Sequence, residues 1–240
     1  MSEQDDFKRA AAEKALELVR DGMLIGLGSG STANYFTEGL GQLVKEGMKV
    51  RGVPTSRATA NLAAANGIPI VTELVGQIDL TVDGADEVDQ ALNLVKGRGG
   101  ALFREKIVAA ASKRFIVVID ESKVVKKLGV GVLPVEVSGF LWRTTAHRLA
   151  SVATSLTVRG GEEAPYITDN GNLILDLLVE GGIKDAASFG DALKRTAGVV
   201  EHGLFVRMTD TLIVAGPEGP RVVGRLSGGA VARPNSAQDK

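Results

Sequence analysis

Residues 81–90, TVDGADEVDQ, place four carboxylates within seven positions: Asp83, Asp86, Glu87 and Asp89. Acidic groups at that density repel one another, so they call for a metal ion, a protein cation or the hydroxyls of a ligand. Hard divalent cations take clustered oxygens, yet the spacing is not that of an EF-hand loop, and Glu87 and Asp89 are left to face water. A second stretch, NLVKGRGGALFREK (93–106), brings one lysine, Lys96, into a loop with Gly97, Gly99 and Gly100. Such a lysine can neutralise an oxyanion, and the glycine backbone adds N–H donors. Glu105 then opens a helix, where by itself it would only complement the helix dipole. A third stretch, GLGSGSTAN (26–34), offers Gly28, Gly30 and the hydroxyls of Ser31 and Thr32 at a helix start, a cradle for phosphate. It lacks the third glycine of a dinucleotide fingerprint and the Gly-Lys-Ser/Thr of a P-loop.

These loops need elements to hold them. Phe7, Ala11, Ala15, Leu16 and Val19 recur at helical spacing, with Asp5 or Asp6 as cap and Asp21-Gly22 as stop. Strands are expected at 23–27, 50–53, 68–71, 79–82 and 115–119, alternating with helices at 33–45, 56–66 and 102–112. That alternation predicts an α/β fold: a Rossmann-like parallel sheet with helices on both faces. All three ligand-type loops then fall at the carboxyl edge of the sheet, where open α/β sheets bind. The second half reads as a helix at 141–152, a strand at 156–158, and two extended stretches, 166–168 and 172–178, around the turn signal DNG. A helix at 185–196 and short strands at 204–206, 211–215 and 221–223 follow. The expected division is a Rossmann-like unit, 1–131 and 206–226, with an inserted smaller α+β subdomain, 132–205, and a frayed tail, 227–240.

The 240 residues are 44% hydrophobic and 24% charged with a net charge of −1, a globular composition with no basic field for nucleic acid. Absence of cysteine excludes disulfides and a thiol nucleophile. Met1 to Asp6 has no leader pattern and no apolar run approaches the roughly 20 residues of a membrane span. The expectation is a cytoplasmic chain without nucleic-acid or membrane partners. His147 and His202 sit in no cluster that suggests a metal or a triad, and Trp142 reads as a packing residue.

GLGSGSTA, VDGADEVD, KGRGGALFREKIV and DESK, in that order and spacing, resemble the signature stretches of type A ribose-5-phosphate isomerases, as do the later LPVEV and TDNGNLILD. The resemblance implies an aldose–ketose isomerase of ribose 5-phosphate and ribulose 5-phosphate in pentose phosphate metabolism, with no metal or other cofactor, assembled as a homodimer or homotetramer. It implies that Glu105 is the general base of a cis-enediolate mechanism, with Lys96 the cation at the reacting oxygens. Asp83 and Asp86 would serve ring opening and proton transfer between oxygens. Substrate binding would fall to Ser29, Gly30, Ser31 and Thr32, to Gly84 and Ala85, to Gly97, Arg98 and Gly99, and to Lys123. At Arg98 the implied role is that of the backbone alone, the direction of its side chain being open. Two other readings compete: a sugar-phosphate sensor, which would need a DNA-binding module and would be expected to lack the base, and a Mg²⁺-dependent phosphoryl transferase, which would need a P-loop lysine.

Overall fold

The computed structural model describes residues 2–74 and 76–224, so the expected tail, 227–240, lies outside the described residues. The first half contains α1 (Glu3–Leu16), β1 (Leu24–Leu27), α2 (Ser31–Lys45), β2 (Arg51–Pro54), α3 (Arg57–Ala65) and β3 (Leu80–Asp83). Two short strands follow, β4 (Glu87–Val88) and β5 (Leu94–Val95), then α4 (Leu102–Ala110) and β6 (Phe115–Asp120). The second half contains β7 (Leu133–Val137), α5 (Trp142–Leu149), β8 (Ser155–Val158), β9 (Leu173–Leu178) and α6 (Ala186–Lys194). It closes with β10 (Val199–His202), β11 (Leu204–Phe205), β12 (Thr211–Gly216) and β13 (Gly219–Gly224).

Three sheets result among the described residues. The largest has the order β13-β12-β6-β3-β1-β2, parallel except for the antiparallel hairpin of β12 and β13. A four-stranded antiparallel sheet, β10-β7-β9-β8, and a three-stranded one, β11-β5-β4, complete the fold. The six residues of β6, FIVVID, are all buried, which is what a central parallel strand covered on both faces requires. Their alternation divides two cores. Ile116 and Val118 meet Ala11 and Ala15 of α1 and Phe36 and Leu40 of α2, whereas Phe115, Val117 and Ile119 meet Ala109 of α4, Leu94 and Phe205. Helices on both faces of a mostly parallel sheet, with a smaller antiparallel sheet and its helices alongside, are the fold class that the alternation of elements predicts.

Several local expectations change. Helix α1 is capped by Ser2, and Asp5 is its capping-box partner three residues on rather than the cap itself. The helix also ends at Leu16, well before Asp21-Gly22. Residues 68–71 make only one bridge, Gly52 to Ile70, because Pro69 has no N–H to extend a ladder. The stretches around DNG likewise meet in one bridge, Ile167 to Leu173; β9 pairs instead with β7 and β8. Strands β4, β5, β7 and β10 were not anticipated. Two-residue strands carry no period, and Pro134 and Glu136 disguise β7 as a loop.

Glu87 does not face water. It is buried, and its carboxylate accepts the N–H groups of Gly129 (2.6 Å), Val130 (3.3 Å) and Gly131 (2.7 Å) and pairs with Arg98 at 2.6 Å. It therefore ties β4 to the segment that leads into β7. Removing it strands those amides, whereas Arg98, more than a third exposed, returns to water. Glu87→Ala should lower the unfolding free energy by about 2–4 kcal/mol in urea titration, and Arg98→Ala by less than about 1 kcal/mol.

Candidate active site

The carboxyl edge of the six-stranded sheet opens into a cavity of about 390 Å³, and the ligand-type loops converge on it. At its floor lies Lys96. Strand β5 delivers this residue, its N–H donates to the Gly203 carbonyl at 2.8 Å, and only 3% of its side chain is exposed. The ammonium stands 3.1 Å from Asp83 Oδ2 and 3.4 Å from Glu105 Oε1, donates to the Gly84 carbonyl at 2.5 Å, and lies 5.7 Å from the centre of the Phe205 ring. Burial alone would push Lys96 toward the neutral amine. Asp83, Glu105 and Asp86 more than offset that, so its pKa stands above the usual lysine value.

Asp83 ends β3 and is fully buried. Its Oδ1 accepts the N–H groups of Ser29 (3.1 Å) and Gly84 (2.8 Å), fastening the glycine-rich loop to the acidic one. The two backbones come so close here that a Cβ on Gly28 would overlap Asp83. Burial raises the Asp83 pKa, against the pull of Lys96. Glu105 sits in the first turn of α4, buried to 4% exposure, and its Oε2 makes no hydrogen bond within the described residues. Burial, opposed by Lys96 and reinforced by Asp83 and Asp86, pushes its pKa up to about 8. One ammonium thus serves two inward-facing carboxylates, an arrangement that leaves Glu105 able to take up and release a proton near neutrality.

Helix α4 is held from below by the next residue. Lys106 turns away from the cavity, its ammonium 2.8 Å from Glu201 and donating to the His202 carbonyl at 2.5 Å. On the other side, α2 starts at Ser31 after Gly30, whose φ of 104° suits glycine, and no side chain caps its first turn. Its N–H groups face the cavity with the dipole behind them, a place for an anion. Ser29 Oγ is locked among Thr55 (2.8 Å), Ser56 (2.8 Å) and Thr59 (3.0 Å), which fixes the loop.

Most of the residues singled out in the sequence meet here. Ser29, Gly30, Ser31 and Thr32 line the cavity from one side, Gly84, Ala85 and Asp86 from the acidic loop, and Lys96, Gly97, Gly99 and Glu105 from the lysine loop and α4. Lys123, in a 3-10 turn after β6, lines it as well, while Asp83 lies just beneath, against Lys96. Arg98 is the exception: its side chain goes to Glu87, and only its N–H points inward, to Asp86 Oδ2 at 2.9 Å. Several lining residues went unnoticed in the sequence, among them Lys8 on α1, Ser56, Tyr166 and Asp169. A lysine on an amphipathic helix and a polar turn carry no local mark of a site. Among the described residues, no group of three His, Asp or Glu side chains is placed to hold a metal ion.

A sequence profile of the ribose 5-phosphate isomerase A (phosphoriboisomerase A) family matches residues 51–219. A ribose-5-phosphate isomerase A of Methylorubrum extorquens is 50% identical over 233 residues, covering 92% of this chain and 98% of that one. Among solved structures, a ribose 5-phosphate isomerase of Plasmodium falciparum superposes with a TM-score of 0.88 at 38% identity, over 92% of this chain and 99% of that one. A D-ribose-5-phosphate isomerase solved in complex with phospho-erythronic acid superposes with a TM-score of 0.89 at 40% identity, over 94% and 100% of the two chains.

The raised pKa of Glu105 has a consequence for stability. Between its unfolded value near 4.5 and its folded value near 8, the folded chain holds a proton that the unfolded chain has lost, so unfolding free energy falls as pH rises. Urea titrations from pH 5 to pH 8 should show a shallower decline for Glu105→Gln than for the wild type; parallel curves would mean that Glu105 folds with an ordinary pKa.

Proposed function

This chain belongs to the ribose 5-phosphate isomerase A family, and from that membership we propose how its own residues interconvert D-ribose 5-phosphate and D-ribulose 5-phosphate. The phosphate rests at the uncapped start of α2, on Ser31 and Thr32, between the ammonium groups of Lys8 and Lys123. Asp83 and Asp86 face the sugar hydroxyls and assist ring opening. The open chain then lies with its C1–C2 bond against Glu105.

Glu105 Oε2 takes the proton from C2. The C–H electron pair becomes the C1–C2 double bond, and the carbonyl electrons move to O1, giving a cis-enediolate whose negative charge the Lys96 ammonium meets. Asp83 and Lys96 carry the oxygen-bound proton from O2 to O1, and Glu105 returns its own proton to C1, which completes the ketose. The observation that carries this reading is the free second oxygen of a buried glutamate whose first oxygen stands 3.4 Å from a buried ammonium. A base needs a pKa near the working pH, and the nascent oxyanion needs a fixed cation in a dry site. The relative solved with phospho-erythronic acid lends support, since that compound joins a phosphate to a carboxylate that resembles the charge of an enediolate.

The reaction as drawn uses no metal or other cofactor and serves the pentose phosphate pathway. We also propose a homo-oligomer, which the exposed apolar side chains of Phe140 and Leu141 support, each more than 60% exposed. Light scattering on the eluting protein should return a multiple of 25.0 kDa.

Purified protein given ribose 5-phosphate in chelator should form ribulose 5-phosphate, and Glu105→Gln, folded, should be slower by about 10²–10⁴-fold. Lys96→Ala should lose about 10²–10³-fold in kcat, with a smaller change in KM. The acid limb of kcat/KM should lie above the ordinary carboxylate range because Glu105 must be ionised to act. Equal turnover by Glu105→Gln would move the base elsewhere, and activity lost in chelator but restored by Mg²⁺ would overturn the metal-free chemistry.

A further inference from the structure

One wall of the cavity comes from the other sheet. Tyr166 and Asp169 belong to the turn that precedes β9, and they reach the site across more than sixty residues of chain. The turn is built to stay in place. Glu136 of β7 is fully buried, and its Oε1 accepts from Thr168 Oγ1 (3.0 Å), Asn170 Nδ2 (3.1 Å) and Asn172 Nδ2 (2.8 Å). From the far side, Arg104 of α4 donates to Asn170 Oδ1 at 2.7 Å and to the Asp169 carbonyl at 3.0 Å. Asp169 Oδ2 also accepts the Arg57 N–H at the start of α3, at 2.7 Å. Tyr166 lies over Gly100, just before α4; a Cβ there would collide with its hydroxyl and ring. The four-stranded sheet and two helix starts thus fix a single turn.

Its position along the cavity gives it a use. Lys8 and the start of α2 lie on the face of the sheet that α1 and α2 cover, whereas Tyr166 stands over Gly100, just before α4 on the opposite face. The group of Lys96, Asp83 and Glu105 lies between, under the end of β3. A sugar phosphate held at Lys8 and Lys123 with its C1–C2 bond at Glu105 therefore directs C1 toward Tyr166.

We propose that the turn 166–169, anchored on Glu136 and Arg104, is a fixed wall that sets the carbon-chain length of the substrate, with Tyr166 the residue that stops the C1 end. This rests on the isomerase reading above. An aldose phosphate one carbon longer keeps its phosphate on the two lysines only by pushing C1 into the tyrosine ring. Misfit by a single carbon in a shaped pocket is worth about 10–200-fold in kcat/KM. Tyr166 is exposed over more than a third of its surface and caps no core, so its truncation opens room without removing a support.

The test compares kcat/KM for D-ribose 5-phosphate with that for D-allose 6-phosphate, the six-carbon homologue with the same run of hydroxyl configurations. Wild type, Tyr166→Ala and Tyr166→Phe are assayed side by side, with thermal unfolding to confirm that each is folded. The six- to five-carbon ratio should rise about tenfold or more in Tyr166→Ala and stay at the wild-type value in Tyr166→Phe, which keeps the ring. With wild-type turnover of ribose 5-phosphate in hand, an unchanged ratio in folded Tyr166→Ala overturns the wall. Absence of that wild-type turnover is a different result: it overturns the isomerase reading, and the wall with it.

Discussion

A lysine ammonium with almost no contact with solvent holds apart two carboxylates that would otherwise repel each other, and the site is arranged around it. At about 3 Å and an effective dielectric of about 20, each Lys96–carboxylate attraction is on the order of 5 kcal/mol, enough to offset much of what burial costs the three groups. The balance is incomplete by design of the count, since two carboxylates share one cation. Asp83 spends its remaining oxygen on backbone amides, whereas Glu105 Oε2 has no partner among the described residues. A buried carboxyl oxygen left without a partner beside a buried ammonium is one that chemistry can use.

The acidic loop that frames this cation is also the junction of the neighbouring loops. Asp83 grips the loop after β1, Asp86 the loop that carries Arg98, and Glu87 the segment before β7. Asp89 closes its own turn by accepting the N–H groups of Ala91 and Asn93. Their mutual repulsion is relieved mainly by backbone N–H groups, which cannot leave and carry no side-chain entropy. A dense run of carboxylates is therefore compatible with a rigid edge, because each has a different piece of chain to hold.

How much of this was legible in the sequence depends on range. The glycine loop, the acidic loop and the lysine loop announce themselves because each packs its chemistry into a few consecutive residues at a strand end. Glu105 did not; a glutamate in the first turn of a helix looks the same whether it serves the dipole or a substrate, and only the likeness of the surrounding FREK stretch to a known family singled it out. Glu87 was misjudged because its backbone partners lie 42 to 44 residues away, and no local pattern says which member of an acidic cluster will be covered. Lys8 and Tyr166 escaped for the same reason from the other direction: their surroundings are ordinary, and tertiary placement alone brings them to the cavity. The parallel sheet was readable from alternation, while two-residue strands such as β4, β5 and β11 exist only because they pair with one another.

That last pairing bears on the order in which the molecule is made. Strand β5, which delivers Lys96, is held by β11 at Leu204 and Phe205, and the Lys96 N–H itself is bound by Gly203. A chain emerging from the ribosome has its glycine loop, its acidic loop and its lysine in hand by about the midpoint of synthesis, yet the lysine has nothing to seat it until residues near 205 arrive. Contacts that span such separations form late and close slowly. Nascent chains of this protein should accordingly pass through a stage in which β1, β2, β3 and β6 are made but Lys96 is unseated, since its partner at Gly203 and the last two strands of the same sheet, β12 and β13, come only afterwards.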